Sequence, residues 1–256
     1  MASTFEQFVK FGTDASGLER TFRLLQSLTQ ILIFIAPARA LLLHLLTFLP
    51  PTLAASEIPL PALQTLRTRF ALGRRFFRVF RFLDAFGSAW ALSRTAGVAG
   101  GSLEMWLDVS SRSFNGMYLL LETATFPEAL GVDGLGVWGA ETAAVLQVEG
   151  QRLWFFALVC AIGAGVMRVR RGEGGRRLVA DVLDLAVPGA VVGWVAASPG
   201  TVGVLMLGST WLTTVEVWER CGRDIGERRE KERVVGDLQR RVRELEEQDL
   251  GREKGE

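Results

Sequence analysis

The chain has 256 residues, 49% of them hydrophobic, and its mean hydropathy is +0.24 although 22% of its residues are charged. This combination predicts apolar segments that alternate with charged ones, as in a protein of lipid membranes. The formal net charge is +1, so no overall field attracts nucleic acid and we expect no nucleic-acid partner. Because His44 is the only histidine, histidine-based metal sites and catalytic triads are excluded, and we expect no enzyme, cofactor or metal.

The N-terminal part of the chain predicts helices. Ser16 and Glu19 have the spacing of a capping box, which predicts the start of a helix that Pro37 kinks or ends. The apolar run beyond Pro37 contains Arg39 and His44, and two polar residues favour a buried or interfacial helix over a membrane span. A proline-rich link, 53–61, follows.

The segment Leu66–Phe86, LRTRFALGRRFFRVFRFLDAF, has the pattern of a basic amphipathic helix. At 100° per residue, four arginines fall within an arc of roughly 60°, a fifth flanks them, and the apolar side chains lie opposite. We predict that the arginines bind the phosphates of an anionic phospholipid membrane while the apolar face inserts below the headgroups and curves the membrane. The alternative is an apolar face that packs in a helical bundle. The predicted lipid-binding residues are Arg67, Arg74, Arg75, Arg78, Arg81, Phe70, Leu72, Phe76, Phe77, Val79, Phe80 and Leu83.

Two apolar segments follow. Leu153–Met167 carries no charge but is short for a span. Leu185–Val215 is long enough, and its two prolines allow a kinked span or a re-entrant hairpin, with a buried β-hairpin as the alternative. Within it, Gly189 and Gly193 form a GxxxG pattern that predicts a helix–helix contact. Asp181 and Asp184 precede this segment, and we interpret them as its polar boundary.

The predicted fold class is therefore all-α, in three parts. Residues 1–150 form an amphipathic helical region with the membrane-remodelling helix near 66–86. Residues 151–215 contain one or two transmembrane or membrane-embedded helices. Residues 216–256 hold eleven basic and thirteen acidic side chains and form a charged helical tail.

Three stretches of this sequence resemble the peroxin-11 family of peroxisomal membrane proteins. They are FEQFVKFGTDASGLERTFRLLQ at the N terminus, the amphipathic segment itself, and LDVSSRSFNGMYLLLETATF. The arginine-, glycine- and alanine-rich character suggests a fungal member. The resemblance implies a protein of the peroxisomal membrane that promotes peroxisome elongation, proliferation and fission.

The same resemblance implies partners. These are a homo-oligomer, the fission machinery and the import receptor for peroxisomal membrane proteins. A pore-like role is also associated with the family, so the alternative function is an oligomeric solute channel built from Leu153–Val215.

Overall fold

The computed structural model describes residues 4–46, 59–132 and 134–253. All regular secondary structure in these ranges is helical, which confirms the all-α class. Most of the predicted proline-rich link, at 53–58, lies outside the described residues. The helices are α1 (Thr4–Thr13), α2 (Ala15–Phe34), α3 (Ala36–Leu46), α4 (Leu60–Phe76), α5 (Arg81–Ala99), α6 (Leu103–Ala124), α7 (Phe126–Leu130), α8 (Ala140–Arg170), α9 (Arg176–Val192) and α10 (Pro199–Glu253).

Side-chain caps fix the starts of two helices. The Asp14 carboxylate accepts hydrogen bonds from the backbone N–H groups of Ser16 and Gly17, at 2.9 and 3.0 Å. Asp14 therefore caps α2, and the capping box predicted at Ser16 is wrong by two residues. Ser102 caps α6 by accepting from the N–H of Met105 at 3.4 Å, the arrangement that serine favours at a helix N terminus.

The second apolar segment, Leu185–Val215, forms two helices separated by a short turn. Helix α9 ends at Val192, and Gly193 caps it in the left-handed conformation with φ of 83°. Helix α10 begins at Pro199, a residue type well suited to the first turn of a helix. The β-hairpin alternative for this segment is therefore wrong.

The described residues form two compact units. One contains 4–17 and 215–253, and the other contains 18–214 with the gaps given above. The three-part division drawn from the sequence stays a prediction.

In the unit 18–214, α6 packs along both α5 and α8, and α9 packs along α8. Gly116 permits the close approach of α5 to α6, since a Cβ there would lie 2.8 Å from the ring of Phe86. Tyr118 of α6 stacks on Trp154 of α8 with their ring centroids 5.3 Å apart. These contacts bring the faces of α5, α6 and α8 together around the site described below.

In the other unit, α1 packs on the part of α10 that lies beyond residue 214. Gln7 Nε2 donates a hydrogen bond to the Trp218 carbonyl oxygen at 2.7 Å, and Lys10 pairs with Asp224 at 2.9 Å. Helix α10 continues through the charged C-terminal segment to Glu253, so that segment is helical as predicted.

Helix α8 is long and apolar enough to cross a membrane. Its most apolar window of 18 residues has a mean hydropathy of 1.6, and only 22% of that window is buried inside the protein. Its 31 residues extend about 46 Å at 1.5 Å per residue, more than the ~30 Å of a bilayer core. Helices α2 and α3 would supply a second span in the described residues only if counted together, and they are bent by 110° at their junction.

Candidate membrane interface and buried charge network

The predicted basic amphipathic helix is divided between two helices. Helix α4 ends at Phe76, α5 begins at Arg81, and residues 77–80 form a turn. Phe80 adopts the left-handed conformation, with φ of 69°, which a bulky residue rarely takes. Neither proline nor glycine lies in this turn, and the arginines that pair with carboxylates lie just before it and within it.

Arg74 is buried, with 7% of its surface exposed. Its Nε donates a hydrogen bond to the Glu19 carboxylate of α2 at 3.2 Å, and its Nη1 donates to the Gln26 side-chain oxygen at 2.6 Å. Burial alone would raise the pKa of Glu19, but the positive charges of Arg20, Arg74 and two further arginines bring that pKa below its ordinary value. Glu19 therefore stays ionised and neutralises an arginine inside the helical unit.

Arg78, in the turn at 77–80, pairs with a second carboxylate. Its Nη2 donates to Glu122 Oε1 of α6 at 2.5 Å, and Arg75 Nε lies 3.7 Å from the same oxygen. The Tyr118 hydroxyl also donates to that oxygen, at 3.1 Å. Because burial raises the pKa of Tyr118, its hydroxyl keeps the proton that it donates.

A third buried pair joins α2 to α9. Arg23 Nη2 donates to Asp184 Oδ1 at 2.5 Å, and the Ser209 hydroxyl of α10 donates to the same oxygen. Arg23 and Asp184 are 4% and 7% exposed. The interpretation of Asp184 as a polar boundary is therefore wrong, because this carboxylate is an interior ion-pair partner.

Four large apolar side chains in and just after the predicted amphipathic segment are exposed. The exposed fractions are 67% for Phe76, 65% for Phe80, 62% for Leu83 and 68% for Trp90. We call these four side chains the outer apolar face. A soluble monomer rarely exposes several large apolar side chains together, so this face indicates a binding surface.

The remaining predicted lipid-binding residues occupy intermediate positions. Phe70 and Phe77 pack against Phe22 of α2, with ring centroids 6.0 and 5.6 Å apart. Leu72, Val79 and Arg67 are half-buried, whereas Arg81 is exposed. The structure thus turns part of the predicted set inward against α2 and α6 and leaves the rest on the surface.

A cavity of about 470 Å³ lies beside the buried pairs, within the unit 18–214. Residues of α2, α5, α6, α8, α9 and α10 line it, together with Arg78 of the turn. Its buried part includes Arg23 and Asp184, and its exposed part includes Arg81 and Arg112. Soluble proteins usually bury apolar side chains and expose charged ones. Here charged side chains lie inside and large apolar side chains lie outside, which is typical of helices in lipid.

A comparison with models of protein families identifies the family to which the chain belongs. The model of the family "Peroxisomal biogenesis factor 11 (PEX11)" matches residues 5–174, about two thirds of the chain. The chain belongs to the PEX11 family. It is therefore a protein of the peroxisomal membrane with a role in peroxisome biogenesis and proliferation, which confirms the predicted location. No curated protein and no solved structure matches the chain.

The PEX11 match includes the outer apolar face, α8, and the carboxylates Glu19 and Glu122. It ends before α9, so it does not include Asp184 or the predicted contact residues Gly189 and Gly193. In α9 a Cβ on Gly189 would lie 3.3 Å from the ring of Phe155, while Gly193 follows the last helical residue. The space beside Gly189 is thus filled by side chains of the same chain. Because Gly193 lies beyond the end of α9, the two glycines do not lie on one continuous helical face.

Proposed function

We propose that this PEX11 protein binds and curves the peroxisomal membrane through its outer apolar face, and thereby promotes peroxisome elongation, proliferation and fission. The supporting observation is the opposite placement of two side-chain types from one short segment. Arg74 and Arg78 lie among carboxylates, whereas Phe76, Phe80 and Leu83 are each more than 60% exposed.

The relative energies favour insertion of the apolar side chains as the main source of membrane affinity. Transfer of a large, mostly exposed apolar side chain into lipid is worth roughly 1–2 kcal/mol, so four contribute about 6 kcal/mol before ordering costs. Each exposed arginine near an anionic surface adds ~1 kcal/mol. Arg69 is exposed and can contribute this electrostatic part.

The buried arginines have a positioning role in this proposal. Arg74 is held by Glu19, and both Arg75 and Arg78 are held by Glu122. These pairs fix the turn at 77–80 so that the rings of Phe76 and Phe80 project outward. Side chains that enter one leaflet and not the other expand that leaflet, which favours curvature.

The test is the replacement Phe76→Ser/Phe80→Ser/Leu83→Ser in cells that lack their own copy of the protein. We expect the variant to reach the peroxisomal membrane but to leave peroxisomes shorter and fewer than the wild type does. The matched control is Phe5→Ser/Phe8→Ser/Val9→Ser, since these α1 side chains are also exposed but lie outside the face. Normal elongation with the first variant, at equal protein level, would exclude the proposed face.

The charged cavity favours a second candidate function, that of an oligomeric solute channel. Polar side chains enclosed by helices with apolar outer surfaces can line a path for solutes. The measurement is the efflux of a small fluorescent solute from vesicles that contain the full chain. Efflux above that of empty vesicles, retained when the outer apolar face is replaced, would support the channel; efflux equal to that of empty vesicles would exclude it.

A further inference from the structure

The cavity in the unit 18–214 carries an excess of positive charge. Seven arginines and four carboxylates line it, which leaves three positive charges. Four of the arginines have a lining carboxylate as their ion-pair partner: Arg20 with Glu19, Arg23 with Asp184, Arg168 with Asp108 and Arg177 with Asp181. A fifth, Arg78, pairs with Glu122 behind the wall.

The other two lining arginines, Arg81 and Arg112, form no ion pair with a carboxylate in the described part of the chain. Both are exposed, so a ligand can reach them. They come from α5 and α6, the two helices that pack together beside the cavity. The unbalanced charge is thus placed at the accessible part of the cavity.

Unused hydrogen-bond donors point to the same conclusion. The Nε atoms of Arg23 and Arg78 are buried and have no hydrogen-bond partner among the described residues, whereas the Nε of Arg20 lies 3.4 Å from the Glu19 carboxylate. Arg23 is 4% exposed. Since an unsatisfied buried donor costs free energy, two such donors beside one cavity indicate an acceptor that is not part of the chain.

We propose that this cavity binds a ligand with a phosphate group. Guanidinium groups recognise phosphate oxygens through paired, charge-assisted hydrogen bonds, and several arginines can share one phosphate. A volume of about 470 Å³ lies in the range of small-molecule sites and exceeds the need of a bare phosphate ion. Trp154, Ala157 and Leu158 of α8 form an apolar wall that suits the organic part of such a ligand.

The phosphate comes either from a lipid headgroup or from a small phosphorylated solute, and two probes separate these sources. Glycerol 3-phosphate is the soluble probe, and phosphatidic acid in phosphatidylcholine vesicles is the lipid probe. Binding to the full chain, purified in a neutral detergent or placed in the vesicles, is measured by isothermal titration calorimetry. Saturable binding of glycerol 3-phosphate supports a soluble ligand, and binding of phosphatidic acid alone supports a headgroup.

The variant Arg81→Gln/Arg112→Gln tests whether binding occurs in the cavity. Both side chains are exposed and form no ion pair within the described ranges, so the fold should tolerate the change, and we expect the affinity to fall about tenfold or more. Arg94→Gln is the matched control, because Arg94 is an exposed arginine of α5 that does not line the cavity. The proposal is overturned if neither probe binds saturably, or if the double variant binds as tightly as the Arg94→Gln control.

Discussion

Glu122 is the carboxylate on which Arg75, Arg78 and Tyr118 converge. Its side chain is 9% exposed, so its charge is compensated by protein groups and hardly by water. Removal of one partner of a buried ion pair costs more than formation of the pair gains, because the remaining charge stays buried without compensation.

We therefore expect Glu122→Ala to lower the free energy of unfolding by about 3–5 kcal/mol, measured by denaturant titration of the protein in detergent micelles. The control is Glu149→Ala, which removes an exposed pair with Arg152 and should cost less than about 1 kcal/mol. Equal effects of the two substitutions would show that the Glu122 pairs do not stabilise the fold.

Glu19 makes stability depend on pH. Its pKa is below the ordinary value in the folded protein, so the unfolded state binds the proton more readily. The stabilisation is fully present above the unfolded pKa of about 4.3 and is lost as the pH falls through the lower folded pKa. We expect Glu19→Gln to be less stable than the wild type at neutral pH, and the difference to shrink below about pH 4. Thermal unfolding between about pH 3 and 7 measures it; a constant difference would refute this linkage.

The sequence predicted the residues of the arginine row but not their partners. Arg74 and Glu19 are 55 positions apart, and Arg78 and Glu122 are 44 apart, so no local pattern relates them. Spacing alone places arginines on one side of a helix, and lipid phosphate or a protein carboxylate satisfies that pattern equally well. Only the packing of α2 and α6 against the segment shows that the partners of Arg74 and Arg78 are protein carboxylates and not lipid phosphates.

At the scale of elements, the turn between α4 and α5 decides which side chains face outward. Phe80 holds the left-handed conformation there, and such strain in a non-glycine residue costs about 1–2 kcal/mol. The sequence predicts a single helix that continues through residue 80. A turn stands there instead, and the arginines just before it and within it pair with carboxylates of α2 and α6.

Substitutions of Phe80 separate strain from membrane binding. Phe80→Gly should raise the free energy of unfolding by about 1 kcal/mol, since glycine adopts this φ freely and the ring is 65% exposed. The same variant should bind anionic vesicles more weakly, because the ring is lost. Phe80→Ala is the control that loses the ring but keeps the strained φ. Flotation with vesicles and denaturant titration are the measurements; equal stability of the Gly and Ala variants would show that residue 80 stores no strain.

Other elements followed from the sequence more directly. The uncharged run Leu153–Met167 is helical, but the expectation that it is short for a span is wrong, because flanking residues extend α8 to 31 residues and make it the helix suited to cross a membrane. Leu185–Val215, which the sequence favours as a span, is divided between α9 and α10. Glycines at 131, 134, 136 and 139 lie between α7 and α8, and glycine is a common residue of turns. Helices with strong local signals could be predicted, whereas the turn at 77–80, set by distant partners, could not.

At the scale of the whole molecule, the composition predicted a membrane protein, and the PEX11 match confirms that class. The arrangement of side chains in the unit 18–214 explains how a chain with 22% charged residues suits a membrane. Charges pair inside the unit, while large side chains such as Trp90 and Trp211 are more than 60% exposed. The composition could not reveal this arrangement, because it does not say which side of each helix faces its neighbours.

In the proposed function, the outer apolar face bends membranes. The most direct test places the full chain in vesicles of phosphatidylcholine and phosphatidylserine and images them by electron microscopy. We predict tubules with the wild type and with Phe5→Ser/Phe8→Ser/Val9→Ser, and round vesicles with Phe76→Ser/Phe80→Ser/Leu83→Ser, at equal amounts of incorporated protein. Tubules of equal number and width with the last variant would contradict the account.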